Sequence, residues 1–166
     1  MISLHDALES LKQDTTFIEW KAENAESYLC HCMRMFGDED AWHIAYYNKD
    51  GSITSFAITP QEVVKEQHEE VFKEPDKEVK PLDMEAVELT ATKALEVGTE
   101  FSKKEYPKDI VSKSIMILQN IDQGQVYNIT FLTLAMSTVN IKIDAASGDV
   151  VAHKRTSLMD FKQDVM

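Results

Sequence analysis

The run Val139-Asn140-Ile141-Lys142-Ile143 alternates apolar and polar residues without a break. Successive side chains of a strand point to opposite faces, so this pattern demands a sheet with one buried face. Ala145 to Asp149 then turns the chain at Gly148, and Val150 to Thr156 returns as a partner strand. A second copy of the pattern lies far upstream. Trp42, Ile44 and Tyr46 share one strand face, Asn48-Lys49-Asp50-Gly51 forms a turn, and Ile53 to Ile58 returns. Glycine supplies the positive φ of such turns, and Asn and Asp tolerate it.

Helices precede both hairpins. Ser3 caps the first, with Asp6 three residues on and Leu4, Ala7, Leu8 and Leu11 at helical spacing. This helix is expected to fade between Gln13 and Thr15. Phe17 to Lys21 then reads as a strand, Asn24 to Glu26 as a turn, and Tyr28 to Phe36 as a further strand. Thr59 and Pro60, with Glu62 after them, predict a short capped helix. Asp83 is expected to cap the strongest helix, carrying Met84, Val87, Ala91, Ala94, Leu95 and Phe101 and ending before Pro107. Strands follow over Lys113 to Asn120, Val126 to Met136 and Thr138 to Asp144, and the tail is expected to close with one helical turn.

The expected fold class is therefore α+β with antiparallel sheets. The expected organisation is an N-terminal half over residues 1–65, a charged linker over 66–82, and a C-terminal half over 83–166. The linker assignment rests on Glu66, Glu69, Glu70, Glu74, Asp76 and Glu78 interspersed with lysines, Pro75 and Pro81.

The chain has 166 residues, 43% of them hydrophobic, with a net charge of −12 and a pI near 4.8. That is apolar enough to bury a core. The acidity argues against general binding to nucleic acid or to a membrane, and favours a basic partner. The first residues, MISLHDALESLKQD, show neither the basic region nor the apolar core of a signal peptide. No stretch approaches the roughly 20 apolar residues of a membrane span. Cytoplasmic residence is the expectation, and two cysteines agree with a reducing compartment.

Cys30-His31-Cys32 is the motif nearest to metal chemistry, with His43 or His5 as possible further ligands. Zinc sites favour a C-x₂₋₄-C spacing and four ligands. C-x-C on a strand points both sulfurs one way and His31 the other, so the cysteines read as core residues and no metal or other cofactor is expected. Nothing beside Cys30 or Cys32 would lower a thiol pKa. There is no G-x-S-x-G, P-loop or G-x-G-x-x-G. Asp38, Glu39 and Asp40 form an acidic loop without EF-hand spacing. No enzyme is therefore expected. The aromatics Trp20, Tyr28, Trp42, Tyr46 and Tyr47 concentrate in the N-terminal half and are the candidate binding residues. Tyr47 lies opposite the Trp42–Ile44–Tyr46 face and is the best candidate for exposure.

From Glu85 to Leu158 the chain resembles a PepSY-like domain. The resemblance is carried by the helix before the sheet, by Tyr127-Asn128-Ile129-Thr130-Phe131, and by Val139 to Asp144 followed by Ala145-Ala146-Ser147-Gly148-Asp149-Val150-Val151. The N-terminal half looks like a degraded second copy, with Asn48-Lys49-Asp50-Gly51 at the turn. The resemblance implies a helix on an antiparallel sheet, related in shape to cystatin-like folds, in each half. It also implies regulation of peptidases, and the family has no catalytic residues to carry over. The expected function is thus a non-catalytic protein- or peptide-binding module that uses a sheet face or an edge strand. The alternative is a small-molecule or enzymatic domain with an apolar pocket and His43 or Glu19 as base. A homodimer through edge strands is the third expectation.

Overall fold

A computed structural model describes residues 1–37, 39–66 and 78–158, and the backbone of 69 and 70. Helix α1 runs Leu4–Gln13 and α2 runs Thr15–Glu23. Ser3 caps α1 by accepting the Asp6 N–H at 3.1 Å. Asp14 both ends α1 and caps α2, accepting the Phe17 N–H at 3.0 Å. The expected strand over Phe17 to Lys21 is therefore a helix. Five residues with apolar Phe17, Ile18 and Trp20 fit either period. The Asp14 cap and the i,i+3 spacing of Phe17 and Trp20, both buried, decide for the helix.

The N-terminal strands are β1 (Tyr28–Phe36), β2 (Trp42–Tyr47), β3 (Ser52–Ile58), β4 (Val63–Lys65) and β5 (Glu69–Glu70). No helix follows Thr59. Its hydroxyl accepts the N–H groups of Gln61 and Glu62, and its own N–H bonds the Glu62 carbonyl. That closes a tight turn into β4. After Asp83 comes only a single 3₁₀ turn, Met84–Ala86. The N–H groups of Glu88 and Leu89 then bond the Ala145 carbonyl, which holds the chain extended against the Ala145–Asp149 connection. Thr90 supplies a second cap, and α3 runs Ala91–Glu105. The predicted helix is thus two elements, because two capping residues compete within eight positions.

The remaining strands are β6 (Val111–Ile121), β7 (Gly124–Thr133), β8 (Ser137–Asp144) and β9 (Val150–Ser157). The strand expected to reach Met136 stops at Thr133. Leu134 to Met136 make the turn, with Met136 at φ 58°. The expected linker begins with Glu66, and its last residues are strapped to the sheet. The Leu82 N–H bonds the Leu29 carbonyl, Asn120 donates to the Pro81 carbonyl, and Leu82 is buried. Residues 67, 68 and 71–77 of that linker, Asp38, and the expected helical turn of the tail at 159–166 lie outside the described residues.

All strands form one antiparallel sheet in the order β4-β3-β2-β1-β6-β7-β8-β9, with β5 also on β3. The seam is β1 against β6, with Cys32 opposite Leu118 and Arg34 opposite Met116. In each half a helix is followed by a meander that grows outward from this seam. The α+β class with antiparallel pairing is thus observed. The described helices lie on one face, α1 toward β2 and β3 and α3 over β7 and β8. Between them and the sheet lies a single core. Cys32, Ile44, Phe56, Ile58, Met116, Leu118, Ile129, Ile141 and Ile143 are fully buried in it.

Candidate functional site

Strand alternation assigns the opposite, helix-free face. On β1, Cys32 and Arg34 are buried on the helix side, so Met33 and Met35 face away. On β6, Met116 and Leu118 enter the core, so Ile115 and Ile117 face away. The register sets Met33 opposite Ile117 and Met35 opposite Ile115, and on the other side sets Met33 opposite His43 and His43 opposite Ala57. An apolar stripe therefore crosses the seam, its side chains partly exposed.

Two polar systems flank the stripe. On the C-terminal side Asn140 donates to Asn128 Oδ1 at 2.6 Å and to Thr130 at 3.1 Å, and Lys142 donates to Asn140 Oδ1 at 2.9 Å. On the N-terminal side His43 lies between two carboxylates. Its Nδ1 is 2.8 Å from Glu66 and its Nε2 is 2.7 Å from Glu39. Ser55 also donates to Glu66, at 3.0 Å. Partial burial of His43 works against its charge, but the hydrogen bonds that its ring donates to Glu66 and Glu39 outweigh it and raise its pKa. With both ring nitrogens committed, His43 has no free lone pair for base catalysis. Glu19 sits on α2, on the other side of the sheet and exposed. The two candidate bases are not brought together.

The five aromatic candidates divide between the faces. Trp20 and Trp42 are 8% and 1% exposed, and the Trp42 indole donates to the Ile2 carbonyl. Tyr46 packs on Phe17 and Trp20, with ring centroids 5.4 and 5.5 Å away, and burial pushes its hydroxyl up to about 12. These three belong to the core beneath α1 and α2. Tyr28 and Tyr47 pair on the helix-free face at 5.6 Å, and the Tyr28 hydroxyl donates to the Val79 carbonyl.

Cys30 and Cys32 are both buried. Cys30 donates to the Ala45 carbonyl, and its Sγ lies 3.7 Å from His31 Nδ1. Burial pushes the Cys30 thiol up to about 12 and the Cys32 thiol higher still. Neither is a ready thiolate. Burial also lowers the pKa of His31. Among the described residues no group of three His, Cys, Asp or Glu side chains is arranged to hold a metal.

Sequence reasoning passed over three features. Met33 and Met35 were readable, since β1 is apolar at both parities, the mark of a strand with work on both faces. Arg34 was not, being a charge on the buried parity. It is held by Asp40 at 2.7 Å and lies over Phe36 and Trp42. The third is an open groove of about 420 Å³ on the helix side, between Leu4 and Leu8 of α1 and Met84 and Leu89, with Tyr127 at its base.

No family model and no curated protein matches the chain. Among solved structures it is similar to one from Clostridium difficile 630 described as a putative lipoprotein, at 16% identity and a TM-score of 0.55. The match covers 88% of this chain and 97% of that one. At that identity the shared property is the fold. Among the described residues no helix is long and apolar enough to cross a membrane.

Proposed function

We propose that the chain is a non-catalytic module that binds a protein or peptide partner on the helix-free face of its sheet. The observation that carries this reading is the apolar stripe of Met33, Met35, Ile115 and Ile117 across the β1–β6 seam, which no helix among the described residues covers. Tyr28 and Tyr47 lie on the same face. Met is a conformationally adaptable contact residue and Tyr a rigid one, a pairing suited to recognition. The face is favoured over the edges. One edge strand, β4, has three residues, and the other, β9, carries Lys154 and Arg155, which discourage strand addition. A basic partner surface is the better electrostatic match to a chain of net charge −12.

The helix-then-meander plan of each half supports reading the chain as two PepSY-like halves, and peptidase regulation is the version of binding that this reading implies. The 420 Å³ groove is the observation on the side of a small-molecule role. The packed helix–sheet interface weighs against it, since that interface leaves the core filled rather than hollow.

The test is affinity capture from the source cells, comparing the native chain with Met33→Glu/Ile117→Lys. Neither side chain enters the core, so the variant should keep its fold, which a thermal melt checks. A protein captured by the native chain and lost with the variant supports the proposal. Equal capture by both refutes the face.

A further inference from the structure

Of the six large apolar side chains exposed in the described C-terminal half, five gather at one end of it, and Val151, at the start of β9, is the exception. Ile110 is 64% exposed, Leu134 67% and Met136 54%, with Val111 and Leu158 at 37% each. They are physically adjacent. The Leu134 N–H bonds the Ile110 carbonyl, and the Leu158 N–H bonds the Met136 carbonyl. Exposed apolar side chains gathered in this way are a candidate interaction surface.

The turn itself is costly to build this way. Met136 has φ 58°, the left-handed region where glycine is the unstrained choice. A strained backbone that presents a large apolar side chain to solvent is an outlier of the kind found at functional sites.

Charge is unevenly spread along the sequence. Residues 1–100 carry 22 acidic and 9 basic side chains, a net of −13, whereas residues 101–166 carry 7 and 8, a net of +1. Lys103 and Lys104 in the last turn of α3, and Lys108 in the loop that leads to Ile110, are all exposed. Glu105 opposes them locally. Asp109 is committed to Arg155 at 2.8 Å. Glu39 and Asp40, in the β1–β2 loop at the same end of the sheet, are engaged by His43 and Arg34.

We infer that this tip is a docking element for an anionic lipid surface, with Leu134 and Met136 entering the headgroup region and Lys103, Lys104 and Lys108 held against lipid phosphates. Charge complementarity selects this occupant: an apolar point beside exposed ammonium groups matches an anionic interface. The net charge of −12 disfavours membranes for the chain as a whole, but its uneven distribution changes that conclusion. Residues 1–100, with a net charge of −13, are repelled as a whole by the same surface that attracts the tip, which favours a tip-down orientation.

The experiment is flotation of the full chain with vesicles of equal parts phosphatidylglycerol and phosphatidylcholine, against vesicles of phosphatidylcholine alone, at low and high salt. The native chain should float with the anionic vesicles at low salt, and salt should reduce this by screening. Leu134→Ser/Met136→Gly should cut binding about tenfold through lost insertion, and Lys103→Gln/Lys104→Gln/Lys108→Gln by a comparable factor through lost charge. Glycine suits the backbone at 136, so an unchanged or higher melting temperature shows that the tip variant is folded. No flotation of the native chain, equal flotation with both vesicle types, or native-like flotation of both variants overturns the inference. So does a solution dimer that the tip variant dissolves, which would make the patch a self-interface.

Discussion

Gly98 in the middle of α3 is where helix and sheet approach most closely. A Cβ there would lie 3.0 Å from Ile129 Cδ1, 3.4 Å from Ile143 Cδ1 and 3.6 Å from Phe131 Cζ. Carbon atoms pack best at about 3.5–4.0 Å, so the Ile129 methyl must give by about half an ångström. It has little room, since all three neighbours are at most 1% exposed within the core. Helix propensity alone would make Gly98→Ala stabilising by about 1 kcal/mol. Overpacking a filled core costs about 1–3 kcal/mol. The expected net is a loss of about 0–2 kcal/mol instead of a gain. The decisive measurement is a double-mutant cycle with Ile129→Val, which removes the crowded Cδ1. Alone, Ile129→Val should cost about 0.5–1.5 kcal/mol. In the Gly98→Ala background it should cost nothing or stabilise, a coupling of about 1 kcal/mol. Urea unfolding of the four proteins reads this from shifts in midpoint at constant slope. Additive effects, or a Gly98→Ala protein stabilised by the full helix-propensity gain, would refute the close-approach argument.

Further expectations concern charge, thiols and the seam. His43 has a raised folded pKa, so its contribution to stability is full below its ordinary pKa of about 6.5 and is lost as pH rises through the folded value. Glu66→Gln should flatten that decline, read as urea midpoint against pH. Asp40 behaves in the opposite sense. The Arg34 hydrogen bond and the Ile2 N–H hold its carboxyl below the usual range, so its contribution is present above the ordinary carboxylate pKa and is lost as pH falls through the depressed one. Asp40→Asn should lower the midpoint at neutral pH and weaken its fall in acid. Cys30 and Cys32 should react with Ellman's reagent at pH 8 only as fast as the protein opens, and in urea both should react at once; rapid labelling of the native chain would contradict their burial. Residues 1–70 and 78–166 made separately should each lack a cooperative melt, because Cys32, Met116 and Leu118 lose their cover at the seam. A sharp two-state transition in either piece would count against a single shared core.

How much of this was legible in the sequence depended on whether the signal was local. Val139 to Ile143 and Trp42 to Tyr46 alternate with a buried face, and both are strands as expected. Phe17 to Lys21 misled because five residues cannot separate a period of 2 from one of 3.6, and the deciding cap at Asp14 had been spent on ending the first helix. Met136 hid the β7–β8 turn, since the chain makes a left-handed corner there with no glycine to announce it. Asp83 and Thr90 are both good caps, and only the tie of Glu88 and Leu89 to Ala145, more than fifty residues on, decides between them. The β1–β6 seam is likewise non-local, pairing Phe36 with Ser114. Alternation within β2 is local and sets Tyr47 opposite Trp42 and Tyr46, but the pairing of Tyr28 with Tyr47 depends on the β1–β2 register. Trp42 and Tyr47 are five residues apart on one strand and serve opposite sides of the sheet.

One topology accounts for both surfaces. A meander that grows outward from a central pair leaves the face opposite the helices continuous across the seam, so residues from β1 and β6 form one stripe although neither half alone contains it. The same meander is longer on its C-terminal side. β6 and β7 have 11 and 10 residues, against 9 and 6 in β1 and β2. Phe36 at the end of β1 pairs with Ser114, so β6 continues three residues past the seam, to Val111 opposite Thr133. That overhang carries the Leu134–Met136 turn past the end of β1, to where the Leu134 N–H bonds the Ile110 carbonyl two residues after Lys108. The unequal strand lengths therefore set the proposed tip apart from the proposed binding face on one small sheet.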